Sequence, residues 1–373
     1  MEFLENLQIA AEQNTFNELH LALDGISKFY LPRDNPQVKA MLSVIFRHFI
    51  GTKAQVRAEE KVEGEEKLEE AEAEARLLTS IRAASKLGYY DQEFAGGFLV
   101  TLFRKIDNFY SANEEQARAK EATVSQILYY LAIIEHNLKT TEAPKHLKKE
   151  CKLVANTLFK IFKPTVIRDI QPKLTDQSTN NFYCAALQFN QKEHAQLLEP
   201  RMKIISDAMN VGEKQLDPDS PQADLTRLLD KYFSAQHVVR IEYSVGPGAP
   251  PGDACLFPQA PGAAKVPLVQ GDGAKHFYFG TTTQIPKDLF IQSLQERHAK
   301  VVRVNFREWF LKSEVEKIRL ISDGFKKAGL NPEAFRLKGN GNGNWMYVNG
   351  GVAAAAAVAG PKLAPMVRSP GWV

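Results

Sequence analysis

From residue 1 to about 233 the apolar positions recur at the three- and four-residue spacing of helices buried on one face. Near residue 239 the pattern changes to the alternation of strands. In the first region, Asp34-Asn35-Pro36 is a helix start, followed by Val38, Met41, Leu42, Ile45, Phe46 and Phe49 on one face. Residues 91–110, 114–138, 144–162, 179–190 and 192–210 read as further helices, with Pro200 expected to bend or divide the last. Residues 52–87 differ. They are crowded with glutamate and become amphipathic only from Leu77, Leu78 and Ile81, so a long solvated helix or frayed arm is expected rather than a heptad coiled coil.

Asp217-Pro218-Asp219-Ser220-Pro221 is the best linker signal, and Ser220-Pro221 also caps a short helix carrying Leu225, Leu228, Leu229 and Phe233. Val239, Ile241, Tyr243 and Val245 then alternate with polar residues as a strand. Residues 246–262 are rich in proline and glycine and read as a surface loop. Phe277 and Phe279 suggest a strand, 288–302 contains a helix, and Val302, Val304 and Phe306 alternate with Arg303, Asn305 and Arg307 in a strand whose wet face is basic. Ser313 and Glu316 have capping-box spacing, and the helix they start carries Val315, Ile318, Leu320, Ile321 and Phe325 inward before stopping at Gly329. Gly339–Asn344 cannot hold a regular element, and Trp345–Val348 looks like a final strand.

The expected architecture is therefore a mainly α N-terminal helical scaffold, an irregular bundle or α-solenoid over 1–216, followed by a small C-terminal α+β domain over 217–348 with two helices on one face of its sheet. Residues 349–373 form a Gly/Ala/Pro-rich tail. At 373 residues and 44% hydrophobic content the chain has the makings of a sizeable core. The acidic first residues and the lack of any apolar run of about 18 residues point to a soluble cytoplasmic protein.

Chemistry is sparse. Cys151, Cys184 and Cys255 have neither disulfide nor thiolate-metal spacing, the eight histidines form no ligand pattern, and no phosphate-binding loop occurs. No metal, cofactor or catalytic residue is assigned. Cys184 with His194, and His276 and His298 beside Asp272 and Glu296, are the sets that could do acid–base or nucleophilic work, against the plainer reading of packed core residues. Lysines 145, 148, 149, 152, 160 and 163 oppose an apolar stripe; they read as a solvated face, with phosphate or membrane binding as the sharper alternative.

The net charge of +3 names no partner, but its distribution is uneven. Between Lys287 and Arg368 basic residues outnumber acidic ones about two to one. Arg303, Arg307, Lys312, Lys326, Lys327, Arg336 and Lys338, with Trp345 and Tyr347, make a candidate binding surface of cations and stacking rings. The sequence supports first a non-enzymatic protein-interaction adaptor or structural subunit of a larger assembly. The alternative is a nucleic-acid-binding protein that uses the basic α+β module.

Overall fold

The computed structural model describes residues 63–335, apart from 89, 91–94, 142, 212–214, 235–236, 259–265, 278–283 and 308, and six single helical positions between 25 and 42. The candidate residues Arg336, Lys338, Trp345 and Tyr347, the Gly/Asn loop, the final strand and the tail lie outside the described residues, as do 52–62 and most of the first 50.

Among the described residues helices dominate up to Phe233, and a four-stranded mixed sheet follows. Helix α1 spans Glu63–Leu87, and the expected inward side is there: Leu77, Ile81, Ala84 and Leu87 are buried. A π-turn at Ala95–Leu99 leads into α2, Val100–Ser111. The single helix expected over 114–138 is instead two, α3 at Glu114–Ala119 and α4 at Glu121–Thr140. The backbone leaves the helical region at Lys120 (φ −107°, ψ 35°), which lets Lys120 reach back to Glu70 at 3.1 Å and Glu74 at 3.2 Å on α1. Then come α5 at Lys145–Ile161, α6 at Pro164–Ile170, α7 at Asp176–Gln188 and α8 at Lys192–Met209. Pro200 does not divide α8, which runs through it.

Helix α9, Pro221–Phe233, starts on the Ser220 side chain, which accepts from the Ala223 N–H as the sequence indicates. Strands β1 (His237–Tyr243), β2 (Gly252–Pro258) and β3 (Pro267–Asp272) form an antiparallel meander. After α10, Pro286–Gln295, β4 (Lys300–Asn305) returns parallel to β3. Two strands were hidden in the sequence. Of the stretch read as a loop over 246–262, Gly252–Pro258 is strand β2, with Ala254, Cys255 and Leu256 all buried on alternate faces, and 259–262 lie outside the described residues. Gly271 and Asp272, which with Gly273 carry a turn signal in the sequence, are the last residues of β3. Of the strand expected at Phe277, only an isolated bridge to Gln284 is described, and Val301 belongs to β4 rather than to the preceding helix.

The sheet is covered on both faces, not one. Leu225, Leu228 and Phe233 of α9 and Ile321 and Phe325 of α11 (Glu314–Lys327) pack on Ala254, Leu256, Val269, Val302 and Val304, with Phe233 and Phe325 stacked at 5.6 Å between ring centroids. Gly324 lets α11 approach β4; a Cβ there would stand 2.7 Å from the Arg303 carbonyl oxygen. On the opposite side, α10 contributes Phe290 and Leu294 to the core of the helical region, where Phe290 meets Tyr129 edge to face at 5.7 Å. Helix α10 thus fastens the sheet to the helices. No helix among the described residues is long and apolar enough to cross a membrane.

Candidate functional site

On β3 and β4 the side chains of Asp272 and Arg303 project from the face opposite Val269, Val302 and Val304, toward α10. Arg303 Nε donates to Asp272 Oδ2 at 2.7 Å, and Nη2 donates to Oδ1, a bidentate pair. Arg303 Nη1 also donates to Gln292 Oε1 on α10 at 3.3 Å, and the Gln284 amide lies against the pair. Asp272 is 3% exposed and the Arg303 side chain 17%. This corrects the wet, cationic face expected of β4: its arginine turns inward because a buried carboxylate on the next strand requires a partner. Burial pushes the Asp272 carboxyl up, and Arg303 only partly offsets it. Asp253 on β2 is likewise raised by burial, against the Gly271 N–H that it accepts.

His276 completes this polar layer. Its Nδ1 stands 2.8 Å from Asp288 Oδ2 at the start of α10. Of the acid–base set suggested by the sequence, His276 therefore finds a carboxylate, but Asp288 rather than Asp272 or Glu296. His298 packs elsewhere, against Gly246, where a Cβ would fall 2.6 Å from its ring. Cys184 and His194 have separate partners: the thiol faces Asn180 and the Gly248 carbonyl, and His194 Nε2 lies 2.9 Å from the Phe162 carbonyl. Burial pushes the Cys184 thiol up to about 12, so it is held as the unreactive thiol. Among the described residues no group of three His, Cys, Asp or Glu side chains could hold a metal ion.

The remaining candidate cations are dispersed. Arg307 lies over the Phe277 ring at 4.9 Å. Lys312 is half-buried just ahead of α11, whereas Lys326 and Lys327 are exposed at its far end, Lys326 standing 3.8 Å from Asp323.

A second surface was not singled out by the sequence. A short 3₁₀ turn, Trp309–Leu311, joins β4 to α11. Its first residue is anchored: buried Trp309 donates from Nε1 to Asp224 Oδ2 at 3.0 Å, and Asp224 also binds Lys317 and Arg227, each at 2.7 Å. Burial pushes Asp224 up, but Lys317, Arg227 and the Trp309 N–H outweigh it and hold the carboxyl below its usual range. Glu314 extends the network to Lys231 at 2.9 Å, to Arg227 at 3.3 Å and to the Tyr232 hydroxyl; Lys231 and Tyr232 hold it down to about 2. Beyond this anchor the next side chains point outward. Phe310 is 67% exposed, Leu311 85% and Val315 60%. Val315 thereby departs from the inward stripe expected of α11. Phe310 also borders an open cleft of about 410 Å³, shared with Pro218, Ala223 and Arg227. The signal available in the sequence was the unbroken run Trp309-Phe310-Leu311, separated from the Ser313 cap only by Lys312 and too short to contain a buried element of its own.

No protein-family model matches this chain, and no curated protein is a detectable relative of it.

Proposed function

We propose that this protein is a non-enzymatic interaction subunit that docks another protein on the Phe310–Leu311–Val315 surface. One observation carries the reading: Phe310 and Leu311 on the turn, and Val315 in the first turn of α11, are large exposed apolar side chains in the segment that follows Trp309, which a charged network fixes. Exposed apolar groups held on a rigid support are what protein interfaces use as anchors, since little side-chain or backbone freedom is lost on binding. The adjoining cleft offers a recess for a partner's side chain, with the Arg227 guanidinium at its edge. The alternative of nucleic-acid binding by the α+β module rests on fewer groups than the sequence suggests, because Arg303 is committed to Asp272.

The test is a pull-down from nuclease-treated native extract with the wild-type chain and with Phe310→Ser/Leu311→Ser. The reading requires a reproducible set of proteins that survives nuclease and is lost with the double variant. Retention of the same set by a folded double variant overturns it.

A further inference from the structure

Helix α5 carries a row of cations that the Phe310 surface does not involve. Its buried side comprises Leu147, Cys151, Val154, Ala155, Leu158 and Phe159, which fixes the opposite side toward solvent. At 100° per residue, Lys145, Lys149, Lys152, Asn156 and Lys160 fall within an arc of about 80°, one position wide and about 22 Å long. All five are exposed, and Lys163 continues the row just past the helix end. From Lys145 to Lys173 there are eight lysines and arginines against two acids, Glu150 and Asp169. Glu150 turns aside to Arg104 at 3.6 Å. The buried Glu135 on α4 lies 2.9 Å from Lys139 and 3.9 Å from Lys152, so its charge is shared between two lysines. Asn156 is tied to Gln191 at 3.0 Å, which brings the start of α8, with exposed Lys192 and Glu193, beside the row.

We infer that this row is a binding site for the phosphate backbone of duplex nucleic acid, read without regard to sequence. A line of lysines matches a line of phosphates, and lysine acts as a point charge that needs no fixed fork geometry. The row holds no aromatic or arginine that could read a base, so affinity comes from counterion release. A protein partner fits less well: the row has no apolar anchor beyond half-exposed Leu153 at its flank. A bilayer presents a plane, of which a convex helix meets only a strip, and the apolar side that would insert is already in the core.

The experiment follows fluorescence anisotropy of a labelled duplex DNA of arbitrary sequence, titrated with the full chain at salt concentrations from about 50 to 200 mM. With about five phosphates neutralised, log K should fall against log salt with a slope of about −4.5. Lys145→Gln/Lys149→Gln/Lys160→Gln should weaken binding at least about tenfold at low salt and reduce the slope by about three. The corresponding arginine variant should retain both. Unchanged affinity and slope in a glutamine variant that keeps the wild-type circular dichroism overturns the inference. So does loss of binding in Lys326→Gln/Lys327→Gln instead, or a wild-type chain that binds phosphatidylserine vesicles and not the duplex.

Discussion

Arg303 and Asp272, 31 residues apart, grip each other by two hydrogen bonds across adjacent parallel strands, between the sheet and α10. Removing one partner strands a buried charge. Arg303→Ala should therefore cost roughly 3–5 kcal/mol, whereas the apolar pair Arg303→Met/Asp272→Leu should cost markedly less than the single change. Urea unfolding of the three variants checks this, and a double variant no better than the single would show that the pair's Coulomb energy is not the issue. Because burial raises the Asp272 carboxyl in the folded state, its contribution opposes that of ordinary paired acids: it favours the fold below the usual aspartate range and is lost as pH rises through the folded value.

Gly324 sits within the last turn of α11, inside a helix where glycine is otherwise disfavoured. Its role is the close approach to β4. Gly324→Ala should destabilise the protein by about 1–3 kcal/mol despite alanine's better helix propensity, because the Arg303 carbonyl at 2.7 Å is backbone and cannot swing aside. Equal or greater stability by chemical denaturation would contradict this packing.

The network joining α9 to α11 should weaken in acid. Glu314 is held at about 2 in the folded chain, below its ordinary value near 4.5, so the stability it supplies is present above about pH 4.5 and lost as pH falls toward 2. Asp224 acts in the same direction. Glu314→Gln should flatten that part of the stability profile, measured by thermal melts at stepped pH. Since Glu314 is partly exposed, solvent screening keeps the effect modest.

All three cysteines are buried and free, and burial pushes Cys184 and Cys255 up to about 12 and Cys151 well above its ordinary value. Ellman's reagent at neutral pH should find no rapidly reacting thiol in the native protein and three in guanidinium chloride. A fast native thiol would mean that one of these sites opens.

Much of the helical architecture is legible in the sequence because its signals are local. Ser313 and Glu316 form the capping box their spacing implies, Ser220 caps α9, and Gly329 stands at φ 71° where the helix ends. The strands β2 and β3 are not legible. Buried on both faces, they lack alternation, and their flanking prolines and glycines imitate a loop. Composition also cannot tell which of the candidate cations are already paired within the fold. It groups Arg303, Arg307, Lys312, Lys326 and Lys327, yet strand pairing turns Arg303 inward and Phe277 takes Arg307.

What the sequence by itself determines is where elements begin and end and which side of each helix is apolar, since period and caps act over a few residues. Tertiary structure alone decides which charge meets another charge and which meets water. Asp272 captures Arg303 only once β4 lies beside β3, and Val315, on a nominally inward stripe, is left exposed at the start of α11. The lysine row on α5 lies between these cases. Its alignment follows from helical period, and its exposure from the packing of the opposite side.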